Sequence, residues 1–88
     1  MYVEAEKMHL QVLKLNEKLL GAEHLSTFSS MTNLSKVLDS QGKYDDAEKM
    51  NRRALEGYRK VQGEEASLAL MIKNGLAGVL ISRQLQQG

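Results

Sequence analysis

The chain has no cysteine and no proline among its 88 residues. Without thiols there is neither a disulfide framework nor a thiolate metal site, a composition that suits a reducing compartment. Without proline, punctuation of the chain falls to its seven glycines. An excess of one charge is missing too: 12 basic side chains stand against 11 acidic ones, for a formal net charge of +1. Such a balance exerts no pull toward nucleic acid or an acidic membrane. No apolar run approaches the ~20 residues a membrane span requires. Glu4 and Glu6 beside Lys7 are unlike the cationic, then apolar, opening of a secretory signal. These absences lead us to expect a cytoplasmic protein with no nucleic-acid or membrane partner. Apolar residues make up 42% of the chain, enough for a core and too many for a disordered tail.

What is present is a repeat. Tyr2-Val3-Glu4-Ala5-Glu6-Lys7-Met8 returns 42 residues later as Tyr44-Asp45-Asp46-Ala47-Glu48-Lys49-Met50. Leu13, Lys18, Gly21 and Glu23 return as Leu55, Lys60, Gly63 and Glu65. Leu34, Val37, Leu38 and Ser40 return as Leu76, Val79, Leu80 and Ser82. A fixed period of this size means stacked copies of one supersecondary unit. Gly21, Gly42 and Gly63 lie 21 residues apart, half the period, so each unit has two arms with a glycine after each. Glycine is favoured just past a helix C-terminus because it enters the left-handed region without strain.

Hydrophobic spacing predicts four helices in one domain over residues 1–88: a helix over 2–20, a helix pair over 26–62 and a lone helix over 67–84. In the first, Ala5, Met8, Val12, Leu15 and Leu19 alternate steps of three and four and form the expected buried stripe. Ser26 or Thr27 is the expected N-cap of the second, whose apolar positions are Phe28, Met31, Leu34 and Leu38, with Val37 beside them. In the third, Ala47, Met50, Ala54, Tyr58 and Val61 form the stripe, and Gly63 ends it. Acid-before-base pairs four residues apart, Asp45–Lys49, Glu48–Arg52 and Glu56–Lys60, each add only ~0.3 kcal/mol. The fourth carries Leu68, Met71, Ile72, Leu76, Val79 and Leu80. Gly75 and Gly78 weaken it by about 1 kcal/mol each unless they permit a close helix approach, and Leu85 to Gly88 should fray. The two- or three-residue link around Gly42 and Lys43 makes the second and third helices antiparallel.

Met31, Leu34, Ser35, Leu38, Gly42, Tyr44, Ala47 and Ala54 stand in the pattern of a tetratricopeptide repeat, which these residues resemble. The small Ser35, Ala47 and Ala54 let two helices approach, and Tyr44 fills the wedge beside them. The usual repeat is 34 residues. The longer period resembles the kinesin light chain type, as do Gly21-Ala22-Glu23-His24-Leu25-Ser26-Thr27-Phe28, Asn33-Leu34-Ser35, Gln41-Gly42-Lys43-Tyr44-Asp45-Asp46-Ala47-Glu48 and Arg52-Arg53-Ala54-Leu55. The same stretches are similar to repeats of fungal proteins that carry an upstream nucleotide-binding signalling domain. Leu25 departs from the proline typical there, and Ala66-Ser67 from the usual His-Pro of the second copy. HEAT repeats share the period, but the Gly-Lys-Tyr-x-x-Ala turn argues against them. The resemblance implies an all-α solenoid of antiparallel helix hairpins in the order B–A–B–A. That order is expected of a piece of a longer array or of a very small remnant.

The resemblance also implies a protein–protein interaction scaffold in which the A helices line a concave groove for a peptide or partner helix. Carried over by position, the groove residues are Thr32, Asn33, Lys36, Asp39 and Ser40, extended by Asn74, Gly78 and Ser82. An asparagine amide can grip peptide backbone, and Lys36 can pair with an acidic ligand group. The plainer alternative leaves Asn33 and Lys36 as polar residues on a solvated face. His9 and His24 lack catalytic partners at motif spacing, and His24, at the histidine position of the family's loop, is expected to cap or order the turn. Asp45, Asp46 and Glu48 open a helix and lack the ligand alternation of a calcium loop. Arg52, Arg53, Arg59 and Lys60 are interleaved with Glu48 and Glu56, as on a solvated face. Met8, Met31, Met50 and Met71 lie at core spacing, with the groove as an alternative for Met71. We therefore expect no enzyme activity, cofactor, metal or catalytic residue. Val3, Val12, Leu13, Leu15, Leu19 and Leu20 exceed what one helix face can bury, so a homodimer through exposed faces of the terminal helices is the competing expectation.

Overall fold

The computed structural model describes residues 2–61 and 66–87. They form four helices: α1 (Tyr2–Leu20), α2 (Leu25–Ser40), α3 (Tyr44–Val61) and α4 (Ala66–Gln87). The architecture is all-α, with antiparallel hairpins of packed helices. α2 packs against each of the other three helices, while among the described residues α1 has α2 as its only backbone neighbour. The two A helices, α2 and α4, thus form one layer and the B helices, α1 and α3, the other.

Two glycines turn the chain. Gly21 and Gly42 have φ of +97° and +81°, a region closed to most L side chains. After α2, the Lys43 N–H reaches back to the Leu38 carbonyl at 2.9 Å and the Gly42 N–H to Asp39 at 3.0 Å, which satisfies carbonyls left over at the helix end. Gln62 and Gly63, predicted to close α3, lie outside the described residues, as does Gly88.

Neither Ser26 nor Thr27 caps α2, and the capping role falls to His24, one of the two roles expected of it. The His24 Nδ1 accepts the Ser26 N–H at 3.1 Å, and the helix begins at Leu25. Thr27 is instead fully buried, with its hydroxyl donating to the Gly21 carbonyl at 2.8 Å. A ring nitrogen thus does the capping usually left to a short oxygen side chain, and the threonine is freed to tie the loop to the end of α1. α4 differs from expectation, continuing to Gln87 rather than stopping at residue 84.

The core runs through the middle of the layers. Leu13, Phe28, Met31, Leu34, Leu38, Ala47, Ala54, Ile72 and Val79 are buried together, and half-buried Tyr44, Met50 and Tyr58 pack against them. Complete burial contributes about 1.5–3 kcal/mol for each larger apolar side chain. Ala47 and Ala54 have no exposure, so α3 lies close on α2. Gly57 is a further small residue at this contact. A Cβ there would run into the Phe28 ring.

A polar seam crosses the same interface. Ser35 donates to the Ala47 carbonyl at 2.9 Å and accepts a hydrogen bond from the fully buried Asn51 amide. Gly75 brings α4 close to this seam: a Cβ on it would lie 3.2 Å from Asn51 Oδ1 and 3.3 Å from Thr32 Cγ2. Gly78 has open space around it and serves no such approach.

α1 departs most from the predicted pattern. Leu13 is its buried residue, and Leu10 packs partly against the core. Met8, Val12, Leu15 and Leu19, four members of the predicted stripe, face outward. α1 seats on α2 instead through Leu10, Leu13 and Asn16, whose amide donates to Ser30 Oγ at 2.6 Å. Two predicted core positions elsewhere are exposed as well, Val61 of α3 and Leu80 of α4.

Ion pairs lace the edges. Arg83 of α4 reaches both Asp45 and Glu48 at the start of α3, so Asp45 pairs across helices rather than with Lys49. Glu48 also takes Arg52 at 2.7 Å, Glu17 takes Arg53 at 3.1 Å, and Glu6 takes Lys43 at 3.0 Å.

Candidate functional site

The A layer carries an open groove of about 520 Å³ between α2 and α4. Its geometry follows from small residues. Gly75 and Gly78 leave a stretch of α4 without side chains, and buried Ser35 supplies a short floor from α2. Leu70, Met71 and Val79 give the groove an apolar wall. Lys36, Asp39 and Asn74 stand at it as the polar groups.

Of the eight residues predicted for the groove, Lys36, Asp39, Asn74 and Gly78 line it. Thr32 does not. It is fully buried against α4, because the missing side chain of Gly75 lets the helix close over it. Asn33 is half-buried beside the groove, and Ser40 is exposed with its hydroxyl donating to the Lys36 carbonyl at 3.1 Å. Ser82 donates to Asp39 Oδ2 at 3.4 Å and so helps hold that carboxylate. Asp39 Oδ1 is shielded from solvent and has no hydrogen-bond partner within the protein.

The apolar wall was missed by positional carry-over. Leu70 lies one turn ahead of Asn74 on the same helix face, and that four-residue step was the available signal. Met71, assigned to the core with the groove as an alternative, is half-buried and lines the groove.

A second cleft of about 420 Å³ lies between α1 and α3. Leu10, Leu34, Leu38 and Met50 form its base, and Glu6, Asp46, Lys49 and Arg53 its charged rim. Glu6 is held below the ordinary carboxylate value of 4.5 by hydrogen bonds from Lys43 and Gln41. Glu48 at the α3–α4 edge is lowered likewise, first by the Arg52 hydrogen bond and further by the charge of Arg83. Both are ionised clamps between elements, and their hydrogen bonds are already used within the fold. Among the described residues, no three His, Asp or Glu side chains are grouped to hold a metal ion. No helix among them is long and apolar enough to cross a membrane.

A two-layer stack of helix hairpins, with small residues at the crossings and a shallow groove along one layer, defines a class of helical repeat built to present surfaces to protein partners. The sequence profile of the tetratricopeptide repeat matches residues 1–60, and the chain belongs to that family. It is 31% identical over 81 residues to the human protein named "Tetratricopeptide repeat protein 19, mitochondrial", a match covering 92% of this chain and 20% of that one. The "Clustered mitochondria protein homolog" of Meyerozyma guilliermondii is also 31% identical over 81 residues, covering 92% of this chain and 6% of that protein. The chain thus spans about a fifth or less of the length of these relatives.

Proposed function

We propose that the chain is a non-catalytic interaction module that holds an extended peptide or a partner helix in the groove between α2 and α4. The observation that carries this reading is the composition of that groove: a strip of glycine backbone beside an apolar wall, with an amide and a lone ammonium at hand. Bare backbone admits a guest chain closely. Leu70 and Met71 offer apolar contact, and methionine adapts to varied side chains. The Asn74 amide both donates and accepts, which suits a peptide group. Lys36 favours a guest with an acidic side chain or terminus, while Asp39 disfavours a second acid beside it. Asn33, Ser40 and Ser82 flank the groove and tune it.

The kinesin light chain type remains our finer assignment within the family, supported by the 42-residue period. The likeness to repeats of fungal signalling proteins extends it, with sensing or assembly as the role. A cytoplasmic location is supported by the absence of cysteine. The relatives' names set mitochondria against it, and cell fractionation decides between the two.

The test is peptide-array selection followed by fluorescence polarisation with the selected acidic peptide. Lys36→Glu and Asn74→Ala should each weaken binding about tenfold, equivalent to about 1.4 kcal/mol. Binding that is unchanged in both variants would remove the groove from the proposal.

A further inference from the structure

The groove between α2 and α4 holds two opposite charges that the fold leaves unpaired. Lys36 is exposed at its rim, and Asp39 stands three residues further along α2, half-buried. Among the described residues neither has an ion-pair partner. Arg83, next to Ser82 on α4, turns instead to Asp45 and Glu48. A carboxylate has room for several donors. The Asp39 carboxylate receives one long bond, from the Ser82 hydroxyl to Oδ2 at 3.4 Å, while its Oδ1 is shielded from solvent without a donor. A half-buried carboxylate served so poorly costs free energy, and a cation brought to it by a guest offsets that cost.

Contacts across the groove fix the order of its parts. Gly75 lies against Thr32, and Ser82 against Asp39. The two contacts have the same separation in sequence, so α2 and α4 run parallel in one register. In that register Lys36 is level with Val79, and Leu70 lies nine residues nearer the start of α4, about 13 Å away at 1.5 Å per residue. Asp39 lies about 4.5 Å beyond Lys36. Helical side chains lean toward the helix N-terminus, and the long Lys36 leans further than the short Asp39, which widens the gap between the two charges. In an extended guest, alternate side chains share a face at steps of roughly 6.6 Å. Two such steps lead from Leu70 to Lys36, and a third reaches Asp39.

We infer that the groove selects a dipolar extended segment of a protein partner. Its alternate residues are an apolar side chain at Leu70 and Met71, a small one beside Asn74 and Gly75, an acid at Lys36 and a lysine or arginine at Asp39. This deepens the groove reading and rests on it; the base at Asp39, the order and the spacing are what it adds.

Fluorescein-labelled heptapeptides test the inference by fluorescence polarisation. Leu-Ser-Ala-Ser-Glu-Ser-Lys and its reversed sequence give both chain directions, and the tighter binder serves as parent. Replacing its lysine by glutamine should weaken binding about fivefold, the upper range for an exposed ion pair. Exchanging its glutamate and lysine should weaken binding further. Asp39→Asn should remove the preference for lysine over glutamine, and Asp39→Lys should turn it into a preference for glutamate at that place. The urea midpoint of Asp39→Asn should not fall, since the carboxylate lost has one long bond in the free protein; a marked fall would make Asp39 a brace for α4 and overturn the inference. A glutamine peptide that binds as well as the parent, yet is weakened by Lys36→Glu, overturns the inference and leaves the groove reading standing. Binding that ignores Lys36→Glu as well overturns both. If neither heptapeptide binds at millimolar concentration the inference falls, and the array-selected peptide still judges the groove.

Discussion

Gly57 and Phe28 share a space that only one of them can fill. Alanine is the better helix former by about 1 kcal/mol, so Gly57→Ala at an exposed site would stabilise α3. Here the new methyl enters the Phe28 ring, and Phe28 is buried too deeply to swing aside. Overpacking of this kind costs roughly 1–3 kcal/mol, which outweighs the propensity gain. Urea unfolding of Gly57→Ala should therefore show a lowered midpoint, and adding Phe28→Leu should recover part of the loss. Recovery is the informative part, because a backbone effect at Gly57 would be indifferent to residue 28. Thr32 shows the opposite limit of reading single residues. Its placement in the groove came by position, and one missing side chain across the interface, at Gly75, put it in the core. Neither hydropathy nor spacing along α2 carries that information. Asn51 was missed for the same reason: its burial is made tolerable by Ser35, 16 residues away.

At the scale of helices, the joints depend on ionised carboxylates. Glu6 ties α1 to the turn after α2, and Glu48 ties α3 to Arg83 of α4. Both carboxyls titrate below the ordinary value of 4.5, held there by their hydrogen bonds to Lys43 and Arg52 respectively. A depressed carboxyl adds stability above its unfolded-state value and loses it as pH falls through the lower folded-state value. Between neutral pH and 4.5 the contribution should be intact, and below that it should drain away. Urea midpoints measured from pH 7 down to pH 2 should fall more gently in Glu6→Gln and Glu48→Gln than in the wild type. The four helices and their antiparallel pairing were legible in the sequence, because period, glycine spacing and small residues all agreed. The orientation of α1 was not. It has apolar residues on two faces, Leu10 and Leu13 on one and Met8, Val12, Leu15 and Leu19 on the other. Periodicity sees both, and only the presence of α2 decides which is covered.

Across the whole molecule, cohesion is uneven. Among the described residues α2 borders every other helix, whereas α1 has one backbone neighbour and meets α3 through the Glu17–Arg53 ion pair. Exposed pairs of that sort add at most about 1 kcal/mol. Amide hydrogen exchange should accordingly rank α2 slowest and α1 among the fastest, with Leu13→Ala speeding α1 more than α3. Equal protection along all four helices would contradict this picture. The groove was legible in outline for a related reason: a stacked repeat must expose its A layer, so Lys36, Asn74 and Gly78 could be placed by position alone. Its apolar wall depended on how closely α4 settles on α2, which no single helix reveals.

The lone seat of α1 on α2 has a mechanical consequence. Tension applied between the two ends of the chain would load that one contact before the more interlocked remainder. In an optical trap the molecule should lengthen in two steps, a soft release of the first 20 or so residues followed by a stiffer rupture. A module of this shape would act as a strain gauge, letting go of one helix while the groove between α2 and α4 stays whole.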